Sequence, residues 1–152
     1  MAATDLVQIR QDGGILLITF NRPAAKHALN LAMYREVCAA LERASTDVET
    51  RCVVVTGSEG CFTAGNDLDD FLNRPKTDGL GAAGRFIKQI SITETPIVAA
   101  VTGVAVGVGA TMLLHCDLAF AANSATMGAP FVKLGLVPEA SSSMLLPASV
   151  GI

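Results

Sequence analysis

Residues 96–117 read PIVAAVTGVAVGVGATMLLHCD, and the rest of the chain is best interpreted from this stretch outward. Residues 97–101 are small and β-branched apolar residues, as in a buried strand, whereas residues 110–116 form a compact apolar block that predicts a helix. Three glycines lie between them, at positions 103, 107 and 109. A strand, a glycine turn and a helix start leave uncovered backbone N–H groups. Such a turn can bind an anion or oxyanion, although the same glycines would also suit close packing of a buried helix.

The composition is apolar for a chain of this length. The 152 residues suffice for one domain with a sizeable core, and 51% are hydrophobic against 16% charged. Residues 97–114 form an uncharged run that reaches the length of a transmembrane helix. The run is rich in Ala, Gly and Val and lacks basic flanks and aromatic anchors, so we expect no membrane partner. We expect the excess apolar surface to form subunit contacts or to face a missing part of the molecule.

Charge and cysteine usage exclude several function classes. The net charge is −3 and no block of Lys or Arg stands out, so nucleic acid is not an expected partner. Cysteines 38, 52, 61 and 116 form no CxxC pair and no metal-ligand spacing with His27 or His115. We therefore expect reduced thiols and no metal site. The first residues contain no apolar signal core, which favours a cytoplasmic location.

The remaining sequence predicts alternating strands and helices. Strands are predicted over residues 6–10, 15–20, 52–56, 118–122 and 125–127. Asn30 is a predicted cap of a helix with an apolar face of Met33, Val37, Leu41 and Ala44. Further helices are predicted over residues 68–72, 84–93 and 140–146, and a loop over residues 74–79. This order indicates a single α/β domain with layered, mixed sheets.

A second glycine turn follows the strand at residues 52–56. Residues 61–68 read CFTAGNDL, a loop that enters a helix with Asp67 as a candidate cap. Its N–H groups near Gly65 and Asn66 would project from a strand end, as would those near Gly107 and Val108. If the two strands are neighbours, the turns together form a two-donor oxyanion hole. Either turn alone would be an ordinary connection between a strand and a helix.

Four motifs in order resemble the crotonase superfamily, the enoyl-CoA hydratase/isomerase family. They are NRP at 21–23 with ALN at 28–30, FTAGNDL at 62–68, GVAVGVG at 103–109 with CD at 116–117, and LGLVPE at 134–139. The resemblance implies an α/β fold of the Clp protease/crotonase type, a spiral of ββα repeats. It implies that residues 1–152 are one crotonase-like core domain truncated at the C-terminus, with the C-terminal helical part of the family absent.

The resemblance also implies ligands and partners. The expected ligand is an acyl-CoA thioester, with no separate cofactor because CoA is part of the substrate. The expected assembly is a homotrimer, or a hexamer built as a dimer of trimers. In the family, the oxyanion donors correspond here to the N–H groups of Asn66 and Val108, the latter position usually being glycine. CoA is expected along Ala64, Gly65, Asn66, Asp67 and Leu68 and at Gly107 and Val108, with Ala24, Lys26 and Ala28 near its nucleotide end.

Glutamate positions separate the reactions of this family. The two glutamates that its hydratases use fall here at Thr111 and Phe131, neither of which can act as a base. A single glutamate, Glu139, occupies a position that resembles the Δ3-Δ2-enoyl-CoA isomerases. An apolar wall of Phe71, Leu72, Phe131 and Leu134 would raise its basicity.

Other functions remain open at this stage. One is an enoyl-CoA hydratase-like or other acyl-CoA enzyme of the family, and another is a non-catalytic acyl-CoA-binding subunit. A hydrolase triad of His115, Asp117 and a serine at 141–143 is a weaker alternative, because the chain contains no GxSxG elbow.

Overall fold

The computed structural model describes residues 5–73 and 80–151, so the loop predicted at residues 74–79 lies outside the described residues. The strands are β1 Val7–Asp12, β2 Ile15–Phe20, β3 Cys52–Gly57, β4 Ile97–Val101, β5 Val104–Val106, β6 Leu118–Ala121 and β7 Thr126–Gly128. The α-helices are α1 Leu31–Thr46, α2 Leu68–Leu72, α3 Ala82–Ile92, α4 Val108–Thr111 and α5 Ser142–Val150. Short 3-10 helices span Pro23–Ala25, Met112–His115 and Val132–Leu134.

The main sheet has five strands in the order β1-β2-β3-β4-β6. The β1–β2 hairpin is antiparallel, and all other neighbours in this sheet are parallel. A second, smaller layer pairs β5 with β7 in parallel, and isolated bridges join Thr63 to Ala105 and Leu29 to Asn66. Each later repeat therefore contributes one strand to each layer before its helix, as in β4-β5-α4 and β6-β7-α5. This is the α/β spiral of ββα repeats that the resemblance implied.

Helix α1 covers one face of the main sheet. Its predicted cap is confirmed, because Asn30 Oδ1 accepts a hydrogen bond of 2.9 Å from the Met33 N–H. The predicted apolar face is also buried: Met33, Val37, Leu41 and Ala44 are at most 2% exposed. Their spacing places them on one stripe of the helix, which packs into the core. This packing fixes where the start of α1, and with it Tyr34, lies relative to the second layer.

Two elements around the glycine stretch differ from the predictions. Strand β5 was not predicted, because three residues between Gly103 and Gly107 are too few for a period-two pattern to show. The helix predicted over residues 110–116 begins earlier, at Val108, and tightens into a 3-10 helix from Met112 onward.

The last helix begins later than predicted. Ala140 and Ser141, inside the predicted helix over residues 140–146, both have a φ of 53°, which is incompatible with a right-handed helix. Helix α5 therefore starts at Ser142 and runs to Val150 with Pro147 inside it. Glu139 therefore lies in the loop before α5, next to these two residues of left-handed backbone conformation.

Apolar side chains remain exposed on strand β6 at the end of the main sheet. All four of its residues are exposed, and Leu118 and Phe120 retain 56% and 65% of their accessible surface. Among residues 5–73 and 80–151, no helix combines the length and the apolarity that crossing a membrane requires. The exposed apolar surface that the composition predicts is therefore found on strand β6 of the main sheet.

Candidate active site

A cavity of about 730 Å³ opens between the two glycine turns and the loop before α5. Several predicted site residues line it: Ala28, Ala64, Gly65, Asn66, Asp67, Leu68, Gly107 and Glu139. The predicted apolar wall lines it as well, with Phe71, Leu72, Phe131 and Leu134. Further lining residues that the sequence did not indicate are Asp69, Val106, Pro130, Leu136 and Val137. Two turns whose glycines, Gly65 and Gly107, are 42 residues apart in sequence thus share one cavity with one glutamate.

The first turn is held by a two-sided backbone contact with Leu29. The Leu29 N–H donates to the Gly65 carbonyl oxygen at 2.7 Å, and the Leu29 carbonyl accepts from the Asp67 N–H at 3.0 Å. In a trans peptide the N–H points opposite to the preceding C=O. The Asn66 N–H therefore points away from Leu29, and it donates to no acceptor within the described parts of the chain.

Glycine is required at position 65 for two reasons. Its φ of +94° is a conformation that side chains disfavour. A Cβ there would also lie 2.6 Å from the Val106 carbonyl oxygen, well inside van der Waals contact. The close approach brings the first turn directly against the end of β5, next to the second turn.

The second turn reaches the same cavity through Gly107. Gly107 adopts φ +57° and ψ −122°, which glycine tolerates and other residues do not. The Gly107 carbonyl accepts from the N–H groups of Ala110 and Thr111, each at 3.0 Å. Because the Val108 N–H is antiparallel to that carbonyl, it points back out of the start of α4. It has no acceptor among residues 5–73 and 80–151.

Glu139 differs from the other two carboxylates that line the cavity. Its side chain is half-buried and, over the described ranges, accepts no hydrogen bond and meets no cation. Burial raises the pKa of this carboxyl above its ordinary value. Asp69 is exposed to solvent, and Asp67 is bound by its neighbours, as described next. A desolvated carboxylate without a partner is the arrangement that suits a general base.

Asp67 stabilises the local structure through an ion pair and a helix cap. Its Oδ2 lies 2.5 Å from Arg22 Nη1, and its Oδ1 accepts from the N–H groups of Asp69 and Asp70 at the start of α2. The predicted cap is therefore confirmed. The hydrogen bond from Arg22 is the largest cause that lowers the pKa of Asp67, so this carboxylate stays ionised and engaged.

Three predicted ligand positions do not line the cavity. Ala24 and Lys26 lie in the turn before α1, and the Lys26 carbonyl accepts from the Ala64 N–H of the first turn at 2.9 Å. Val108 is fully buried and does not line the cavity, whereas the residue before it, Gly107, does. Thr111 is also buried, and its hydroxyl has no partner among the described residues.

Tyr34 is a site neighbour that the sequence analysis missed. It is 4% exposed on α1, and its hydroxyl donates to Asn66 Oδ1 at 2.5 Å. Burial, followed by the charge of Glu139, raises the pKa of the phenol, so it remains protonated. A signal was present, because a tyrosine next to the buried face of a helix needs a hydrogen-bond partner for its hydroxyl.

The hydrolase alternative is wrong in its geometry. His115 Nε2 lies 3.0 Å from the Ala140 carbonyl oxygen, and Asp117 accepts from the Ile97 N–H at 2.8 Å. The Ser142 hydroxyl is buried and has no partner in the part of the chain that the structure describes. The three side chains therefore do not form a nucleophile, base and acid relay.

Comparisons with known proteins place these features in context. The sequence profile described as enoyl-CoA hydratase/isomerase matches residues 10–152. Enoyl-CoA delta isomerase 2 of Rattus norvegicus is 36% identical over 151 residues, covering 95% of this chain and 38% of that protein. The 2,3-dehydroadipyl-CoA hydratase of Escherichia coli strain K12 is 35% identical over 149 residues, covering 97% of this chain and 58% of that protein.

A solved structure shows the same arrangement over nearly the whole chain. The crystal structure of an enoyl-CoA hydratase/isomerase from Pseudoalteromonas atlantica T6c superposes with a TM-score of 0.92 at 49% identity, covering 97% of this chain and 59% of that one. The chain thus spans between 38% and 58% of the length of the two curated relatives above. One of these relatives is named an isomerase and the other a hydratase.

Proposed function

We propose that this chain, which belongs to the enoyl-CoA hydratase/isomerase family, carries the catalytic core of an enoyl-CoA isomerase that moves a double bond from C3 to C2 of an acyl-CoA. The observation that carries the proposal is the single unpartnered, half-buried carboxylate of Glu139 in the cavity that both glycine turns share. Thr111 and Phe131 stand where the resemblance expects the two hydratase glutamates. One base suffices for the shift of a double bond, whereas addition of water uses an acid and a base together.

The proposed reaction is a proton transfer in two steps. Glu139 accepts a proton from C2 of the 3-enoyl-CoA, and the electron pair of that C–H bond spreads over a dienolate whose charge lies on the thioester oxygen. Glu139 then returns the proton to C4, and the double bond forms between C2 and C3. The substrate and the product have the same composition, so no co-reactant is needed. A positioned base of this kind contributes about 10²–10⁴ in rate.

The dienolate charge requires donors at the thioester oxygen. The N–H groups of Asn66 and Val108 are the proposed donors, because Asn66 lines the cavity, Val108 directly follows the lining residue Gly107, and neither N–H has a protein acceptor in the described parts of the chain. Each such donor contributes about 10²–10³ in rate. Partial burial beside the apolar wall raises the pKa of Glu139 and favours its proton-accepting role.

For CoA binding and assembly, the proposal keeps the expectations of the resemblance. CoA lies along residues 64–68, and Ala28 lines the same cavity. The chain forms a homotrimer or a dimer of trimers, which the exposed apolar residues of β6 support. No Lys or Arg lines the cavity among the described residues, so a role of Lys26 at a CoA phosphate needs its side chain to approach from outside.

The test compares two substrates with one protein. The chain is incubated with a 3-enoyl-CoA, and the formation of the conjugated 2-enoyl thioester is followed by ultraviolet absorbance. In parallel, hydration of a 2-enoyl-CoA is followed by the loss of the same absorbance. We expect isomerisation and little hydration. Brisk hydration instead would assign the hydratase function, and tight acyl-CoA binding without either reaction would assign the non-catalytic acyl-CoA-binding subunit.

A further inference from the structure

We propose that Tyr34 is a positioning residue of this site, which acts through Asn66 by holding its side-chain oxygen away from the reacting thioester. This inference rests on the proposed role of the Asn66 N–H as a donor. The hydroxyl of Tyr34 donates to Asn66 Oδ1 at 2.5 Å across 32 residues of sequence. Tyr34 itself need not touch the substrate, because the residue that lines the cavity between the two is Asn66.

The tyrosine is well fixed for this purpose. Its ring is buried on α1 and packs against Phe86 of α3, with the ring centroids 5.4 Å apart. A ring held between two helices has little freedom to move its hydroxyl. Burial and the nearby Glu139 charge raise the pKa of the phenol, so it is a donor at neutral pH.

The partner of this hydroxyl is Asn66, whose backbone N–H and side-chain carboxamide need to be considered separately. Leu29 fixes the peptide groups on both sides of Asn66, with hydrogen bonds of 2.7 and 3.0 Å, which aims the Asn66 N–H away from Leu29. The side chain is not fixed by those contacts. A free Asn side chain readily bonds to nearby backbone N–H groups. Its oxygen could then accept from the N–H that should serve the substrate, or oppose the negative charge that develops on the thioester oxygen.

The hydrogen bond from Tyr34 removes that competition. It occupies Oδ1, and it leaves Nδ2 as the free end of the carboxamide, without an acceptor within residues 5–73 and 80–151. Of the Asn66 carboxamide, the end that remains available at the cavity is then a donor. This arrangement suits an oxyanion and disfavours a cation.

The test is a double-mutant cycle with Tyr34→Phe and Asn66→Ala in the full chain. The first change removes only the hydroxyl, and the second removes the carboxamide while it keeps the backbone N–H. The matched control is Thr95→Val, because the Thr95 hydroxyl likewise donates one hydrogen bond, here to the backbone carbonyl of Ala44 at 3.0 Å, but lies outside the cavity. If Tyr34→Phe is less stable than this control, the effect of the Asn66 carboxamide on the two readouts below is taken from Asn66→Ala alone.

Two readouts separate positioning from folding. The first is the kcat and KM for a 3-enoyl-CoA. The second is the absorption of bound 4-dimethylaminocinnamoyl-CoA, which moves to longer wavelength as its carbonyl accepts stronger hydrogen bonds. Removal of a whole oxyanion donor costs about 10²–10³, so we expect misalignment in Tyr34→Phe to lower kcat by about tenfold. We expect a smaller red shift, little change in KM, and no further effect of Tyr34→Phe in the Asn66→Ala background.

The results that overturn the inference are distinct from those that overturn the function. An unchanged red shift in Tyr34→Phe, or effects that multiply in the double variant, would show that Tyr34 does not act through Asn66. If the unsubstituted protein red-shifts the bound probe but does not isomerise 3-enoyl-CoA, the proposed reaction fails, and the red shifts of the variants still decide the role of Tyr34. Absence of any red shift in the unsubstituted protein would overturn the inference itself.

Discussion

Arg22 lies 2.5 Å from Asp67 and connects the turn before α1 to the residue that caps α2. Both side chains are mostly buried, at 27% and 14% exposure, and Arg22 also donates to the Ala28 carbonyl at 2.9 Å. The pair therefore joins the NRP motif to the AGND motif, which lie 45 residues apart. It acts beside the Thr63 hydroxyl, which joins the His27 carbonyl to the Gly65 N–H.

Asp67→Asn separates the ion pair from the helix cap. Asparagine caps helices as well as aspartate, so this change removes mainly the charge that Arg22 faces, and we expect a loss of about 1 kcal/mol in unfolding free energy, since the pair is partly solvated. Asp67→Ala also removes the cap and costs about 1 kcal/mol more. Urea denaturation measures both. Equal losses in the two variants would show that the cap contributes nothing.

The pH dependence of this pair has a definite sign. The pKa of Asp67 is lowered in the folded protein, first by the Arg22 hydrogen bond. Its contribution is therefore complete above the pKa of the unfolded chain and is lost as the pH falls through the folded pKa. We expect the stability difference between the natural chain and Asp67→Asn to shrink in acid.

Much of this fold was predictable because its signals are local. The cap at Asn30, the buried stripe of α1 and the parallel strands at residues 52–57 and 97–101 follow from residue type and period. The cavity was predictable only in part. Gly65 and Gly107 could be placed at strand ends from sequence, whereas the contact between Tyr34 and Asn66 depends on how α1 lies over the second layer. No pattern within either segment specifies that distance.

Gly65→Ala tests the contact between the two turns. Alanine is strained at φ +94°, and its Cβ would meet the Val106 carbonyl oxygen at 2.6 Å. We expect a loss of more than about 1 kcal/mol in stability, together with a loss of the probe red shift. Gly81→Ala is the control, since a Cβ at that position meets nothing within 4 Å. Comparable behaviour of the two variants in thermal unfolding would contradict the close approach.

Thr111 offers a stabilising change at a position where the resemblance expects a hydratase glutamate. Its buried hydroxyl has no partner among the described residues, and an unsatisfied buried polar group costs about 1–3 kcal/mol. Thr111→Val should therefore stabilise the protein by about 1 kcal/mol.

Thr63→Val is the same substitution at another buried threonine, with the opposite expected effect on stability. The Thr63 hydroxyl donates to the His27 carbonyl at 2.7 Å and accepts from the Gly65 N–H at 3.1 Å, so its removal should destabilise by about 1–3 kcal/mol. Chemical denaturation of both variants decides the sign. Destabilisation by Thr111→Val would mean that its hydroxyl has an acceptor or a bound water.

The exposed face of β6 predicts self-association. Leu118 and Phe120 lie two residues apart and therefore on the same face of the last strand of the sheet. Replacement of both by lysine should lower the weight-average mass in sedimentation velocity. Val48→Lys is the control, because Val48 is 89% exposed in the turn after α1, away from this face. A monomeric natural chain at high concentration would contradict the prediction.

Glu139→Gln should abolish most of the isomerisation and stabilise the fold at neutral pH. Glutamine keeps the size of the side chain but cannot accept the C2 proton, so we expect turnover to fall by about 10²–10⁴.

Burial raises the pKa of Glu139 above the ordinary 4.5, so the folded state holds this proton more tightly than the unfolded chain and loses stability as the pH rises through that interval. The variant should therefore have the higher melting temperature at pH 7, and the difference should close below the ordinary carboxyl pKa. The exposed Glu94→Gln serves as the control for both measurements. If Glu139→Gln keeps turnover within a few-fold, the base lies elsewhere, and if it also fails to raise the melting temperature, the carboxylate is solvated and not desolvated in the cavity.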